Sequence, residues 1–169
     1  NEENYIKKAE TYYKNLEKKY VGVKYHHSYS KEHVFLEDYA FLIQALIDLA
    51  ENTLILDYRN KAKELCDEVI NTFYCRKRRI FQKNCIKKND LFFEPIDIGD
   101  HTVPNGNSIM LKNFARLKYF CSESDELGKS IESYLNIYKN YMLSSVKSLD
   151  IYKNAKLNIN CNEDGCDVN

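Results

Sequence analysis

The stretch Glu37-Asp38-Tyr39-Ala40-Phe41-Leu42-Ile43-Gln44-Ala45-Leu46-Ile47-Asp48-Leu49-Ala50 decides the fold. It has no Gly or Pro, and its apolar residues occupy nearly every face of a helical wheel. A helix of this kind has to be covered on nearly every side. The next periodic segment contrasts with it. Tyr58, Ala62, Leu65, Cys66, Val69, Ile70 and Phe73 fall on one helical face, while Lys61, Lys63, Glu64, Asp67 and Glu68 lie mostly opposite. That helix belongs on the outside. An inner helix followed by an outer one predicts a two-layer array of antiparallel helical hairpins.

The rest of the chain repeats the pattern. Tyr5, Ala9, Tyr12, Tyr13, Leu16 and Tyr20 recur at three- and four-residue steps and predict a first helix with these residues on its apolar face. A fourth helix is expected after Asn107, carrying Leu111, Phe114, Ala115, Leu117 and Phe120. A fifth carries Leu127, Ile131, Tyr134, Leu135, Tyr138, Tyr141 and Met142, and a short sixth spans about Val146 to Tyr152. Two segments read as non-helical. Val21 to Val34 is expected to be extended, and Arg76 to Pro104 to hold a short β-hairpin from Arg79-Ile80-Phe81 and Leu91-Phe92-Phe93. Loops of that length in compact domains often carry function. The expected organisation is one helical array over residues 1–152 and a polar tail over 153–169, with a turn at Asn162-Glu163-Asp164-Gly165. Asn1 in place of an initiator methionine, with helical sequence from the outset, is the pattern of a piece of a longer protein.

Composition narrows the function classes. The 169 residues are 44% hydrophobic and 30% charged, with 25 basic and 25 acidic side chains. A neutral chain exerts no long-range attraction on nucleic acid or acidic membranes. No run approaches the ~20 apolar residues of a membrane helix. Neither a nucleic acid nor a membrane is therefore an expected partner. The dense basic run Arg76-Lys77-Arg78-Arg79, with Lys83, Lys87 and Lys88, reads as a solvated hairpin. Nothing reads as a secretion leader, and Cys66 and Cys121 fall on helices where thiols act as small hydrophobes. The expected compartment is a reducing cytoplasm. His26, His27 and His33 lack metal-ligand spacing, and no phosphate loop or nucleophile elbow is present. No metal or cofactor is expected.

Two constellations could carry chemistry. Asp38 lies in the apolar arc of the second helix among Leu42, Ala45 and Leu49, away from the polar stripe of Glu37, Gln44, Asp48 and Glu51. One reading makes it a first-turn carboxylate, stabilised by free N–H groups and the helix dipole. The other makes it a site carboxylate facing a cavity, with a pKa raised if the cavity is dry. Glu37 beside it is expected to be solvated or paired. The second constellation runs from Asp97 to Ser108. Pro104-Asn105-Gly106 signals a turn, and Asn107 or Ser108 can cap the fourth helix. The bland reading is a loop-to-helix junction. The functional reading is a polar cluster of Asp100, His101, Asn105 and Asn107 that holds hydroxyls or an anion.

Leu36-Glu37-Asp38-Tyr39-Ala40-Phe41-Leu42-Ile43, followed later by Asp100-His101-Thr102-Val103-Pro104-Asn105-Gly106-Asn107-Ser108, resembles a known pairing of motifs. It is similar to the thioredoxin-domain-containing, spermatogenesis-associated proteins and their bacterial relatives. In that family a Leu-Glu-Asp-Tyr-Ala-Phe-Leu helix start precedes an Asp-Gly-Ala-x-Pro-Ser-Gly-Asn-Ser junction. Here His101 and Thr102 replace the Gly and Ala, and Asn105 replaces the Ser. Glu94-Pro95-Ile96-Asp97 and the Cys161 to Cys166 spacing also resemble family features, while Lys24-Tyr25-His26-His27-Ser28-Tyr29 departs from its basic strand. The resemblance spans roughly Tyr5 to Tyr152.

The resemblance implies an upstream thioredoxin-like domain joined to an (α/α)6 toroid like those of six-hairpin glycosidases and sugar epimerases. The chain would supply about half of the toroid, all-α apart from one short β-hairpin. Its partners would be the missing half, the upstream domain and a carbohydrate ligand. Loops before the inner helices line the cavity in such toroids. Asp38, Glu37 and His101 become candidate catalytic groups on that basis, and Tyr39, Asp100, Asn105 and Asn107 candidate substrate-binding groups. The rival expectation is a non-catalytic scaffold or interaction module for the upstream domain. A half ring leaves inner helices uncovered, so the isolated chain is expected to self-associate.

Overall fold

The computed structural model describes residues 2–19, 25, 34–84 and 96–163. Among these are helices α1 (Glu2–Lys19), α2 (Leu36–Thr53), α3 (Leu56–Phe73), α4 (Gly106–Leu117), α5 (Ser122–Tyr138) and α6 (Leu143–Glu163). Strands β1 (Tyr74–Cys75) and β2 (Ile80–Phe81) complete the described elements. The predicted all-α architecture of antiparallel helical hairpins with one short β-hairpin is present.

The inner layer is α2, α4 and α6, side by side and parallel. A methyl group placed on Gly106 at the start of α4 would meet Leu36 at the start of α2. Further along, Asn113 Nδ2 donates to Ala40 O (2.8 Å), and Arg116 Nη2 reaches Asp48 Oδ1 and Glu51 Oε2 (2.6 Å each) near the end of α2. On the other flank of α4 the hydroxyls of Ser108 and Ser144 lie 2.6 Å apart, which pairs the starts of α4 and α6. The outer helices run back the other way. Leu54 and Ile55 alone join α2 to α3, with Leu54 left-handed (φ 58°) and its N–H on Ala50 O, a common helix ending. Tyr39 of α2 donates to Glu68 of α3 (2.6 Å) and meets the Phe73 ring edge-on. Tyr152 of α6 donates to Asp125 of α5 (2.7 Å).

The core follows the predicted patterns closely in α2 and α3. Leu36, Tyr39, Ala40, Ile43, Leu46, Ile47 and Leu49 are buried in α2. Tyr58, Ala62, Leu65, Cys66, Val69 and Phe73 are buried in α3. Burial pushes the Cys66 thiol well above its ordinary pKa, which keeps it an inert small hydrophobe. Among the described residues no helix is long and apolar enough to cross a membrane.

Several expectations are corrected. On α1, Tyr5, Ala9 and Tyr12 are exposed, whereas Tyr13 and Leu16 are half-buried as expected and Ile6 joins them, and Glu10 of that side accepts from Tyr58 (3.0 Å); Tyr20 lies outside the described residues. Ala45 of α2 is exposed rather than part of a covered arc. The hairpin forms between Tyr74–Cys75 and Ile80–Phe81, antiparallel. Arg78 N and Arg79 N both turn back onto Cys75 O, which leaves Arg76–Arg79 as an exposed turn and buries Ile80 and Phe81. The alternative strand Leu91–Phe93 lies outside the described residues, as do most of Val21–Val34, including His26, His27 and His33, and the side chains of Cys161 and Cys166. Helix α6 is far longer than Val146–Tyr152 and continues through position 163 of the expected polar tail. No Gly or Pro interrupts it, and Tyr152, Lys153 and Lys156 tie it to α5 through Asp125 and Glu132.

Candidate functional site

The starts of α2, α4 and α6 converge at one end of the inner layer, and the segment 96–105 fills the space between them. Asn105, not Asn107 or Ser108, is the N-cap of α4: its side chain accepts from Ser108 N (2.9 Å). That satisfies one of the unpaired donors of a first turn. Its Nδ2 donates to Ile98 O (3.1 Å) and Asp100 Oδ1 (3.0 Å). Asp100 performs the matching service for α6. Its Oδ2 accepts from Ser144 N (2.7 Å) and its Oδ1 from the Ser144 hydroxyl and from Asn105 N (3.1 Å). Burial alone would raise the Asp100 pKa, but the hydrogen bonds from Ser144 and Asn105 outweigh it and hold it below the usual range.

Asn107 is a substitute strand partner. Its Oδ1 accepts from Phe81 N (3.0 Å), and its Nδ2 donates to Phe81 O (3.1 Å) and Asp97 O (3.2 Å). The side chain thus satisfies the free edge of β2 and fastens the hairpin to α4. Tyr39, a predicted substrate contact, is a fully buried core residue between Tyr25 and Phe73 with its hydroxyl on Glu68. Asp100, Asn105, Asn107 and Tyr39 are therefore engaged in holding the fold, with their polar atoms on protein partners.

What faces solvent is a cleft of about 420 Å³. It is lined by Phe35, Glu37, Lys83, Asp97 and the 99–105 segment that includes His101. Lys83 Nζ pairs with Asp97 Oδ2 at 3.0 Å, and His101 Nε2 lies 3.3 Å from Asp97 Oδ1. His101 itself is 73% exposed. Glu37 lines the cleft from the first turn of α2, close to Gly106 at the start of α4. A Cβ at that position would sit 2.9 Å from Leu36 Cγ and Cδ2 and 3.5 Å from Glu37 Cδ, so only a bare backbone lets α4 come this close to the first turn of α2. The Glu37 carboxyl is half-buried. Burial raises its pKa, partly offset by a backbone hydrogen bond and by Lys83, and Asp97 and Asp38 push it further up.

Of the two readings of Asp38, its position agrees with the first-turn carboxylate, and only Glu37 departs from expectation. Asp38 occupies the first turn of α2, half-buried and outside the residues that line the cleft, where the helix dipole favours a negative charge. Its neighbours on the wheel, Leu42, Ala45 and Leu49, face α1. Glu37, expected on a solvated stripe, is the one at the cleft. That stripe is solvated only lower down, where Asp48 and Glu51 meet Arg116. Lys83 and Asp97 were not singled out as a site pair. Their 14-residue separation carries no local signal, and the fold alone joins them.

Among the described residues no group of three or more His, Cys, Asp and Glu side chains is arranged to hold a metal ion. Compared with models of known protein families and with curated proteins, the chain matches none.

Proposed function

We propose that the cleft binds a small polyhydroxylated ligand of the carbohydrate class, with Glu37 as its acid–base or hydroxyl-anchoring carboxyl. The observation that carries this reading is a half-buried Glu37 with a raised pKa opposite the Lys83–Asp97–His101 group in one open cleft. A carboxyl whose pKa rises toward neutrality exchanges protons more readily at working pH. A second carboxylate, a lysine and an imidazole beside it offer both acceptors and donors to hydroxyls. Three parallel inner helices with antiparallel outer ones also suit the partial (α/α)6 toroid implied by the motif resemblance, with the cleft at the end where such cavities open.

The test is a thermal-shift and calorimetric screen of the chain against neutral sugars, amino sugars and sugar phosphates, with Glu37→Gln alongside. A sugar that raises the melting temperature of the wild type but not of Glu37→Gln supports the reading. No shift with any class opposes it.

A second reading is favoured by a separate observation. The internal engagement of Asp100, Asn105 and Asn107 suits a non-catalytic scaffold that supports an upstream thioredoxin-like domain. Under that reading Glu37→Gln changes no ligand response.

A further inference from the structure

The cleft holds more negative charge than its own cations answer. Its charged lining sets Glu37 and Asp97 against Lys83, with His101 as the fourth titratable group. Lys83 Nζ is 3.0 Å from Asp97 Oδ2, and His101 Nε2 is 3.3 Å from Asp97 Oδ1. Both oxygens of Asp97 are therefore engaged, and its side chain is only 17% exposed. No cation of the described residues pairs with Glu37, which Lys83 reaches only as a nearby charge. Burial, then Asp97 and Asp38, raise the Glu37 pKa against the pull of Lys83 and a backbone hydrogen bond. That is the response of a carboxyl short of counter-charge. The helix starts gathered here do not reverse the sign. Each contributes about half a positive charge, and each is already answered. Asp38 lies in the first turn of α2, while Asp100 accepts from Ser144 N at the start of α6 and from Asn105 N before α4.

We infer that the sugar bound in the cleft carries a protonated amino group, and that this ammonium seats on the Glu37 carboxylate. The inference rests on the carbohydrate reading above and narrows it to amino sugars with a free amine. An ammonium supplies the missing counter-charge and has three hydrogen-bond donors to share between Glu37 and a neighbouring acceptor. A neutral sugar leaves the charge unanswered, and a phosphate adds to it. Lys83 does not fill the role while Asp97 holds it. Phe35, Val103 and Pro104 form the apolar part of the lining, where weaker screening strengthens a charge pair.

The experiment is isothermal titration calorimetry of the full 169-residue chain with glucosamine, glucose and glucose 6-phosphate at neutral pH. Wild type, Glu37→Gln and Asp97→Asn are compared, and circular dichroism checks that helicity is retained. Glucosamine is expected to bind the wild type about tenfold or more tighter than glucose, the range of one hydrogen bond to a charged group, and glucose 6-phosphate most weakly. Glu37→Gln levels glucosamine with glucose. Asp97→Asn removes one negative charge and releases Lys83 to pair with Glu37, so it erases the preference too, a response that a change of cleft shape alone does not give. Glucose bound as tightly as glucosamine by the wild type overturns the inference and leaves the carbohydrate reading standing. A glucosamine preference that survives in Glu37→Gln also overturns it. Binding of none of the three sugars removes both the inference and the reading beneath it.

Discussion

Asn107→Ala tests most directly whether the polar junction builds the fold or awaits a ligand. Asn107 is 2% exposed and makes three hydrogen bonds to backbone atoms of Phe81 and Asp97. Truncation to Ala leaves one N–H and two carbonyls without that partner. An unsatisfied buried group costs about 1–3 kcal/mol, and partial entry of water lowers the sum, so the expected loss is about 3–5 kcal/mol. That is a large share of the ~5–15 kcal/mol that stabilises an ordinary domain. At ~2–4 °C per kcal/mol for a chain of this size, the midpoint falls by roughly 10 °C. Urea denaturation followed by far-UV circular dichroism measures the loss, with Asn107→Asp as a partner variant. Asp keeps an acceptor for Phe81 N but turns a carboxylate toward two carbonyl oxygens. Burial raises its pKa, so this variant is least stable at neutral pH and recovers as pH falls and the carboxyl gains a proton to donate. A loss below ~1 kcal/mol in Asn107→Ala, or an Asn107→Asp deficit independent of pH, would refute the assignment of Asn107 as the anchor of the hairpin.

Three further outcomes are expected. Gly106→Ala drives a methyl group into the buried Leu36 side chain and lowers stability by ~1–3 kcal/mol, as overpacking does; an unchanged urea midpoint would contradict the close approach of α4 to α2. Asp100 has a pKa below the usual Asp value, so its contribution is present above the unfolded-state pKa of ~3.9 and is lost as pH falls through the folded value. Asp100→Asn should therefore flatten the acid limb of a stability-versus-pH curve, and an unaltered limb would remove its role as the cap of α6. Glu37 behaves oppositely. Its raised pKa means its contribution is present below the unfolded-state pKa and lost as pH rises through the folded one. Glu37→Gln should thus be more stable than wild type at neutral pH, with the difference shrinking toward pH ~4; a variant less stable at pH 7 would count against a strained cleft carboxyl.

Much of the scaffold was legible residue by residue. The apolar positions of α2 and α3 recur at helical spacing, and burial of those side chains drives the packing, so periodicity alone identifies the core faces. The turn signal Pro104-Asn105-Gly106 marked the start of α4, although the helix begins at Gly106 and not after Asn107. Where the signal failed, longer-range physics took over. Tyrosine is amphipathic, and Tyr5 and Tyr12 stay outside because α1 is covered on one side only. The hairpin partner of Ile80–Phe81 was set by the four-residue reversal at Arg76–Arg79 and by Asn107, both of which local β-propensity leaves open.

The candidate site divides in the same way. The sequence by itself determined that carboxylates and amides cluster at the starts of α2 and α4, because helix starts select such residues to satisfy unpaired N–H groups. It could not determine which of them remain available for chemistry. Glu37 and Asp38 are adjacent on one helical turn, and their fates differ because Lys83, Asp97 and the loop before α4 pack around Glu37 while Asp38 shares the side of α2 that faces α1. Asp100, Asn105 and Asn107 look equally suited to a ligand until Ser144, Ile98 and Phe81 arrive from distant or differently folded segments and occupy their hydrogen bonds. Availability is a property of what packs against a side chain, and only the tertiary structure decides that.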